Sequence, residues 1–93
     1  MERKLLSPEQ IQSSIKEIPQ WTLSGLKLNR KFKFKNFIEA FSFMTQVALI
    51  CESYCHHPEW SNNYSVVEIN LTTHDLGGIS NLDFNLAKKI NDI

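Results

Sequence analysis

Ser65-Val66-Val67-Glu68-Ile69-Asn70-Leu71-Thr72-Thr73 is the clearest strand signal in this chain, and His74 follows it. Successive side chains of a strand point to opposite faces, so Val67, Ile69, Leu71 and Thr73 form one row and Glu68, Asn70, Thr72 and His74 the other. An apolar row against a polar one predicts a sheet buried on one side and wet on the other. Parity puts His74 with the polar row, at the C-terminal end of the strand and outside the core. A second strand is expected over residues 27–34, where Leu28, Phe32 and Phe34 share one face, with Arg30 as a departure. Lys27, Lys31, Lys33 and Lys35 share the other face. Those lysines could form an anion patch, but a solvated strand face accounts for them more economically. Shorter strands are expected at residues 21–24, before a turn at Gly25, and at residues 59–62, before a turn near Asn63.

Helix signals lie between and around these strands. Ser7-Pro8-Glu9-Gln10 combines a capping serine, a first-turn proline and a capping-box glutamine. The helix it opens reaches Ile18, with Ile11, Ile15 and Ile18 as its apolar stripe, and stops at Pro19. Asn36-Phe37-Ile38-Glu39 opens a long helix over residues 37–54. Phe37, Phe41, Met44, Ala48 and Cys51 make one stripe on it; Ala40, Phe43, Val47, Ile50 and Tyr54 make a second. One sheet face seldom covers so wide an arc, so part of it is expected to pack on another subunit. Ser80-Asn81-Leu82-Asp83 opens a last helix with Leu82, Leu86, Ile90 and Ile93 on one stripe. The order is αββαββα, a single domain over residues 1–93. The expected fold is α+β: a sandwich with a four-stranded antiparallel sheet and helices packed on one face.

A chain of 93 residues buries roughly 60–65% of its unfolded surface, enough for one modest core. Ten Lys and Arg balance ten Asp and Glu, which argues against a generic nucleic-acid binder. No apolar run reaches the roughly 20 residues of a membrane span. Met1-Glu2-Arg3-Lys4 does not read as a signal peptide, and two cysteines four apart are not a disulfide framework, so the cytoplasm is expected. Lys and Arg are absent from residues 36–87, which hold Glu39, Glu52, Glu59, Glu68, Asp75 and Asp83. Such a surround disfavours a phosphate-bearing or polyanionic ligand and suits a neutral or cationic one.

All three histidines fall in that acidic span: His56 and His57 in Cys55-His56-His57-Pro58-Glu59-Trp60, and His74. Imidazole both gives and takes a proton near neutrality, so the group suggests proton transfer or a metal. If the long helix persists to His56, Glu52 is its i, i+4 neighbour and fixes its tautomer. Pro58 ends helical geometry from about His57 onward, so the two histidines diverge. Trp60 offers a flat apolar plate for a planar heterocycle, although a lone tryptophan is more often core. Asp83 alone is most economically a helix cap. Cys51 and Cys55 read as a buried thiol and a helix-end neighbour of the site. A zinc site from Cys55, His56, His57 and His74 lacks the spacing that preorganises the metal. A Cys55 nucleophile lacks a visible oxyanion hole. Proton transfer without metal ranks first, and a non-enzymatic interaction module using the long helix is the rival.

Glu52, His56-His57-Pro58, Trp60, Tyr64, His74 and Asp83 together look like the signature of the pterin-4a-carbinolamine dehydratase family. Trp21, Phe32-Lys33-Phe34-Lys35-Asn36-Phe37, Ala40-Phe41, Phe43-Met44, Val47-Ala48-Leu49, Gly78, Ser80 and Leu86-Ala87 extend the resemblance over nearly the whole chain. The resemblance implies the αββαββα fold and dehydration of a 4a-hydroxytetrahydropterin to the quinonoid dihydropterin, serving tetrahydrobiopterin recycling after an aromatic amino acid hydroxylase. It implies His56 and His74 as acid and base, His57 chiefly gripping substrate, and no metal or cofactor. Cys55 and Thr72-Thr73-His74-Asp75 would line the pterin pocket, Glu52 would orient His56, Trp60 would wall the site, and Pro58 and Asp83 would support it. Members often carry Asp or Asn where this chain has Cys55. Some members also act as dimerisation cofactors of a homeodomain transcription factor, a role that nothing in this sequence carries. A homodimer or tetramer through the long helix and a sheet edge is expected, with no nucleic acid and no membrane as partner.

Overall fold

The computed structural model describes residues 2–93. The apolar row of the central strand sets its architecture. Strands β1 (Thr22–Ser24), β2 (Lys27–Lys33), β3 (Glu59–Asn63) and β4 (Val66–Leu71) form one antiparallel sheet in the order β1-β2-β4-β3. β4 is central because it is the most consistently apolar on one face: Val67, Ile69 and Leu71 have no exposed surface. Register places Leu28 against Leu71, Phe32 against Val67, and Trp60 against Ile69. Paired residues share a face, so these side chains meet the helices. Lys27, Asn29, Lys31, Lys33, Glu59, Glu68 and Asn70 share the other face, where Asn29 Nδ2 donates to Glu68 Oε2 and Asn70 Oδ1 at 2.9 Å each.

Three helices cover the apolar face: α1 (Pro8–Ser14), α2 (Phe37–Ser53) and α3 (Asn81–Asn91). Each opens as its sequence directs. Ser7 and Gln10 form a reciprocal capping box, Asn36 Oδ1 accepts from Glu39 N, and Ser80 and Asp83 form a second box. Ile18, Ala40, Phe43, Val47, Cys51, Leu86, Ala87 and Ile90 close over the sheet into a single core with Trp21 and Leu28. The αββαββα order and the single α+β sandwich are those expected.

Several details depart from the sequence reading. The first helix is α-helical only to Ser14 and tightens into a 3-10 turn over Ile15–Glu17 before Pro19. Ile93 lies past the end of α3 and is exposed, so the stripe ends at Ile90. Arg30 faces the helices because its guanidinium has partners there: it sits 4.2 Å over the Phe32 ring and donates to Asn91 Oδ1 at 2.5 Å. That same oxygen accepts from Trp21 Nε1 at 2.7 Å. β4 stops at Leu71, two residues early, and the alternation stops with it. Thr72 and Thr73 are both buried, and His74 opens a 3-10 turn over His74–Leu76 that Gly77 closes with a φ of 78°.

Candidate functional site

The site is built from three chain segments: the end of α2, the turn after β4, and the start of α3. At the end of α2, Cys55 N donates to Glu52 O at 3.0 Å and His56 N donates to Cys51 O at 3.1 Å. This is the Schellman pattern, which places one residue in the left-handed region. That residue is Cys55, with φ of 51°. The reversal turns His56 inward to a buried position and leaves His57 exposed, and Pro58 prevents the helix from resuming. The i, i+4 relation expected between Glu52 and His56 therefore does not form. Glu52 Oε1 instead meets His57 Nε2 at 2.8 Å, since the left-handed step brings His57 back over the last turn.

His56 has a different carboxylate. Its Nε2 lies 2.6 Å from Asp83 Oδ1, a buried contact. Asp83 is 0% exposed. Its other oxygen, Oδ2, accepts from Ser80 N and Thr73 Oγ1 at 2.8 Å each, and Ser80 Oγ stands 2.7 Å from Thr73 Oγ1. A buried anion is tolerated only where donors replace its water, and these donors do so. Asp83 is the cap residue the sequence announced, and also the group that holds His56 and ties α3 to the end of β4.

His74 has a third carboxylate. Its Nε2 is 2.8 Å from Glu59 Oε1, while Glu59 Oε2 accepts from Lys27 Nζ at 2.7 Å. The lysine beside it holds the Glu59 carboxyl below the usual carboxylate range. Next along, Asp75 receives a two-pronged contact from Arg3 at 2.8 and 2.6 Å, which lowers its pKa in the same way. A depression of about 690 Å³ is lined by Arg3, Ser53, Tyr54, Cys55 and Leu82. A smaller one of about 200 Å³ is lined by Leu26, Lys27, Thr72, His74, Gly77 and Gly78. Thr72 Oγ1 donates to Leu26 O at 2.7 Å, which fixes the floor between β2 and the turn.

Each histidine thus has a carboxylate oxygen within 2.8 Å of its Nε2, hydrogen-bonded at His56 and His57 and in ion-pair contact at His74, which leaves Nδ1 as the second nitrogen. Among the described residues no three His, Cys, Asp or Glu side chains gather as a metal-ligating group. Cys51 is buried, and burial pushes its thiol up to about 11, so it is a core residue without thiolate character. Trp60 packs against the core from the helix side of β3. Sequence reasoning missed Glu59 and Lys27. Their signal was there in principle: both are charged residues on the polar rows of strands that flank β4.

Comparisons with known proteins identify the family and the fold. The family described as pterin 4 alpha carbinolamine dehydratase matches residues 4–93. The chain belongs to that family. A relative from Prochlorococcus marinus strain MIT 9312 is 57% identical over 93 residues, covering 100% of this chain and 97% of its own, and carries a pterin-4-alpha-carbinolamine dehydratase name provisionally. A solved structure from Brucella melitensis, described as a transcriptional coactivator/pterin dehydratase, superposes with a TM-score of 0.91 at 37% identity, covering 96% of this chain and 97% of that one. A pterin dehydratase-like protein described as a RuBisCO assembly factor in the alpha-carboxysome shares the fold, with a TM-score of 0.63 at 19% identity over 77% of this chain and 83% of its own. Cys55 occupies a left-handed position, a region that Asp and Asn visit more readily than Cys.

Two stability measurements follow from this geometry. Asp83→Ala is expected to cost about 3–5 kcal/mol in urea unfolding, because it strands several buried donors, whereas Glu52→Ala on the exposed His57 pair changes stability by at most about 0.5 kcal/mol. Equal effects would show that the Asp83 cluster is not the anchor. Cys55→Asn is expected to raise stability by roughly 1 kcal/mol by easing the left-handed turn, and a loss would show that the thiol's contacts outweigh the backbone strain.

Proposed function

We propose that the protein dehydrates a 4a-hydroxytetrahydropterin to the quinonoid dihydropterin by histidine acid–base catalysis, without metal or cofactor. The observation that carries this reading is the set of three histidines, each oriented by a carboxylate, in a chain of this family. The C4a hydroxyl leaves as water, so a proton must reach its oxygen as the N5 lone pair forms the new double bond to C4a. A second proton must leave a ring nitrogen. His56 and His74 take these two steps, and His57, exposed next to His56 in the chain, grips the substrate. Asp83 fixes His56 with Nε2 spent, so its Nδ1 is the nitrogen that works. Cys55 and the turn at Thr72, Thr73, His74 and Asp75 line the pterin pocket largely through backbone groups. The reaction serves tetrahydrobiopterin recycling beside an aromatic amino acid hydroxylase. No helix among the described residues is long and apolar enough to cross a membrane, and both cysteines are free, which supports a cytoplasmic setting.

We also propose a homodimer or tetramer through α2 and a sheet edge. Ile38 and Leu49 on α2 are 74% and 69% exposed, and the half-exposed Phe37 and Phe41 rings lie tilted against each other, centroids 5.6 Å apart, on the same helix. A patch of this kind on a small chain favours association. It is also the feature that favours the rival reading, an interaction module in which the histidines are idle.

The decisive assay follows the ultraviolet signal of freshly generated 4a-hydroxytetrahydropterin with and without the protein, and with a chelator. Acceleration is expected to survive the chelator, and His56→Ala combined with His74→Ala to abolish it. Near-normal turnover in the double variant would overturn the mechanism. In sedimentation velocity at micromolar concentration, the wild type is expected to run as an oligomer and Ile38→Glu/Phe41→Glu to shift it toward monomer; a monomeric wild type would refute the assembly.

A further inference from the structure

Among the three histidines, His74 has the least obvious means of support. It sits on a short 3-10 turn, its side chain is 77% exposed, and its ring meets Glu59. An exposed ring free to rotate about its side-chain bonds is a poor acid or base, because the reacting nitrogen must be held within a fraction of an ångström of its target.

Glu59 is unusual in the opposite way. It is the first residue of β3 and shares the open face of the sheet with Asn70 of β4 and Lys27 of β2. Lys27 Nζ occupies Oε2 at 2.7 Å, whereas Oε1 is shut off from solvent and makes no aligned hydrogen bond, with His74 Nε2 as its near neighbour at 2.8 Å. Lys27 and His74 line the same small depression, so the three side chains form one connected group at the edge of the site. Asp75, the next charged residue, is taken up by Arg3 and does not compete for the ring. An exposed ion pair contributes little to stability, so fold stability does not account for this arrangement.

We propose that Glu59, anchored by Lys27, is a positioning residue that keeps the His74 proton on Nε2 and turns Nδ1 toward the substrate. The inference rests on the dehydratase reading and deepens it by assigning the working nitrogen of His74. A carboxylate accepts but cannot donate, so a neutral imidazole against it carries its proton on the facing nitrogen. The other nitrogen then has a lone pair to take a proton from the pterin, or a proton to give when the ring is charged. Lys27 contributes by filling the second oxygen, which prevents the carboxylate from swinging away.

The test combines imidazole nitrogen shifts with turnover. In the wild type above neutral pH, long-range proton–nitrogen spectra are expected to show His74 as a single tautomer protonated at Nε2. In Glu59→Ala the Nδ1-protonated form should appear, and kcat should fall roughly ten- to hundredfold with KM much less affected. Lys27→Ala should move both readouts in the same direction but less far. In a His74→Ala background, Glu59→Ala should have no further effect on kcat, since its action runs through that ring. Unchanged His74 shifts in Glu59→Ala, or rate losses that simply multiply in the double variant, would overturn the proposal. If the wild type itself fails to accelerate dehydration, the dehydratase reading falls, and the nitrogen shifts still decide whether Glu59 sets the ring.

Discussion

The carboxylate of Asp83 has no access to water, and the rest of the site is referred to it. An ionised group in that position loses several kcal/mol of hydration, which only closely placed donors return. Those donors come from three places: the His56 ring at the end of α2, the Thr73 hydroxyl after β4, and Ser80 at the start of α3. These groups come from three separate segments, yet each must be in register for the anion to be satisfied. The helix cap, the turn and the imidazole are therefore one cooperative unit, and a shift of any member exposes the cost of the buried charge. This is why the end of α2 can bear a left-handed Cys55: the strain of that residue is offset by what its turn delivers to Asp83.

The fold was legible because its signals are periodic and local. The alternation of Val67, Ile69 and Leu71 against Glu68 and Asn70 requires a one-sided sheet, and the caps at Ser7, Asn36 and Ser80 mark helix starts without reference to anything distant. The site was legible only in composition. The resemblance named His56, His57, His74, Glu52 and Asp83 as one set, but the pairing among them and with Glu59 could not be read from it. The i, i+4 rule assigned Glu52 to His56 because it holds wherever the helix continues, and one left-handed residue reassigns it to His57. Asp83 already had a complete local explanation as a cap, which hid its second partner. Glu59 and Lys27 meet only because β4 lies between their strands, a fact of topology that no local pattern carries.

The three histidine–carboxylate pairs are chemically alike and physically graded. The His56 pair is shielded from water, so its electrostatic coupling is strong and its geometry fixed. The His57 pair, with side chains 65% and 76% exposed, is screened and mobile. The His74 pair is intermediate, with an exposed ring against a carboxylate that a lysine pins. One interaction repeated in three dielectric settings gives three imidazoles of different rigidity.

The same partners change how the acidic span must be understood. Read as sequence, residues 36–87 contain carboxylates and no Lys or Arg, and this predicts a strongly negative surround. Folding supplies the missing cations from outside the span: Lys27 from β2 reaches Glu59, and Arg3 from the N-terminal segment reaches Asp75. Glu52 and Asp83 face imidazoles, and Glu68 accepts from the Asn29 amide. Almost every carboxylate near the histidines is thus matched to a donor, and the field a ligand meets is that of oriented pairs, not of free anions. A neutral bicyclic substrate that must gain one proton and lose another is suited to such a surface. Charge there is available within hydrogen-bonding reach and largely cancelled beyond it.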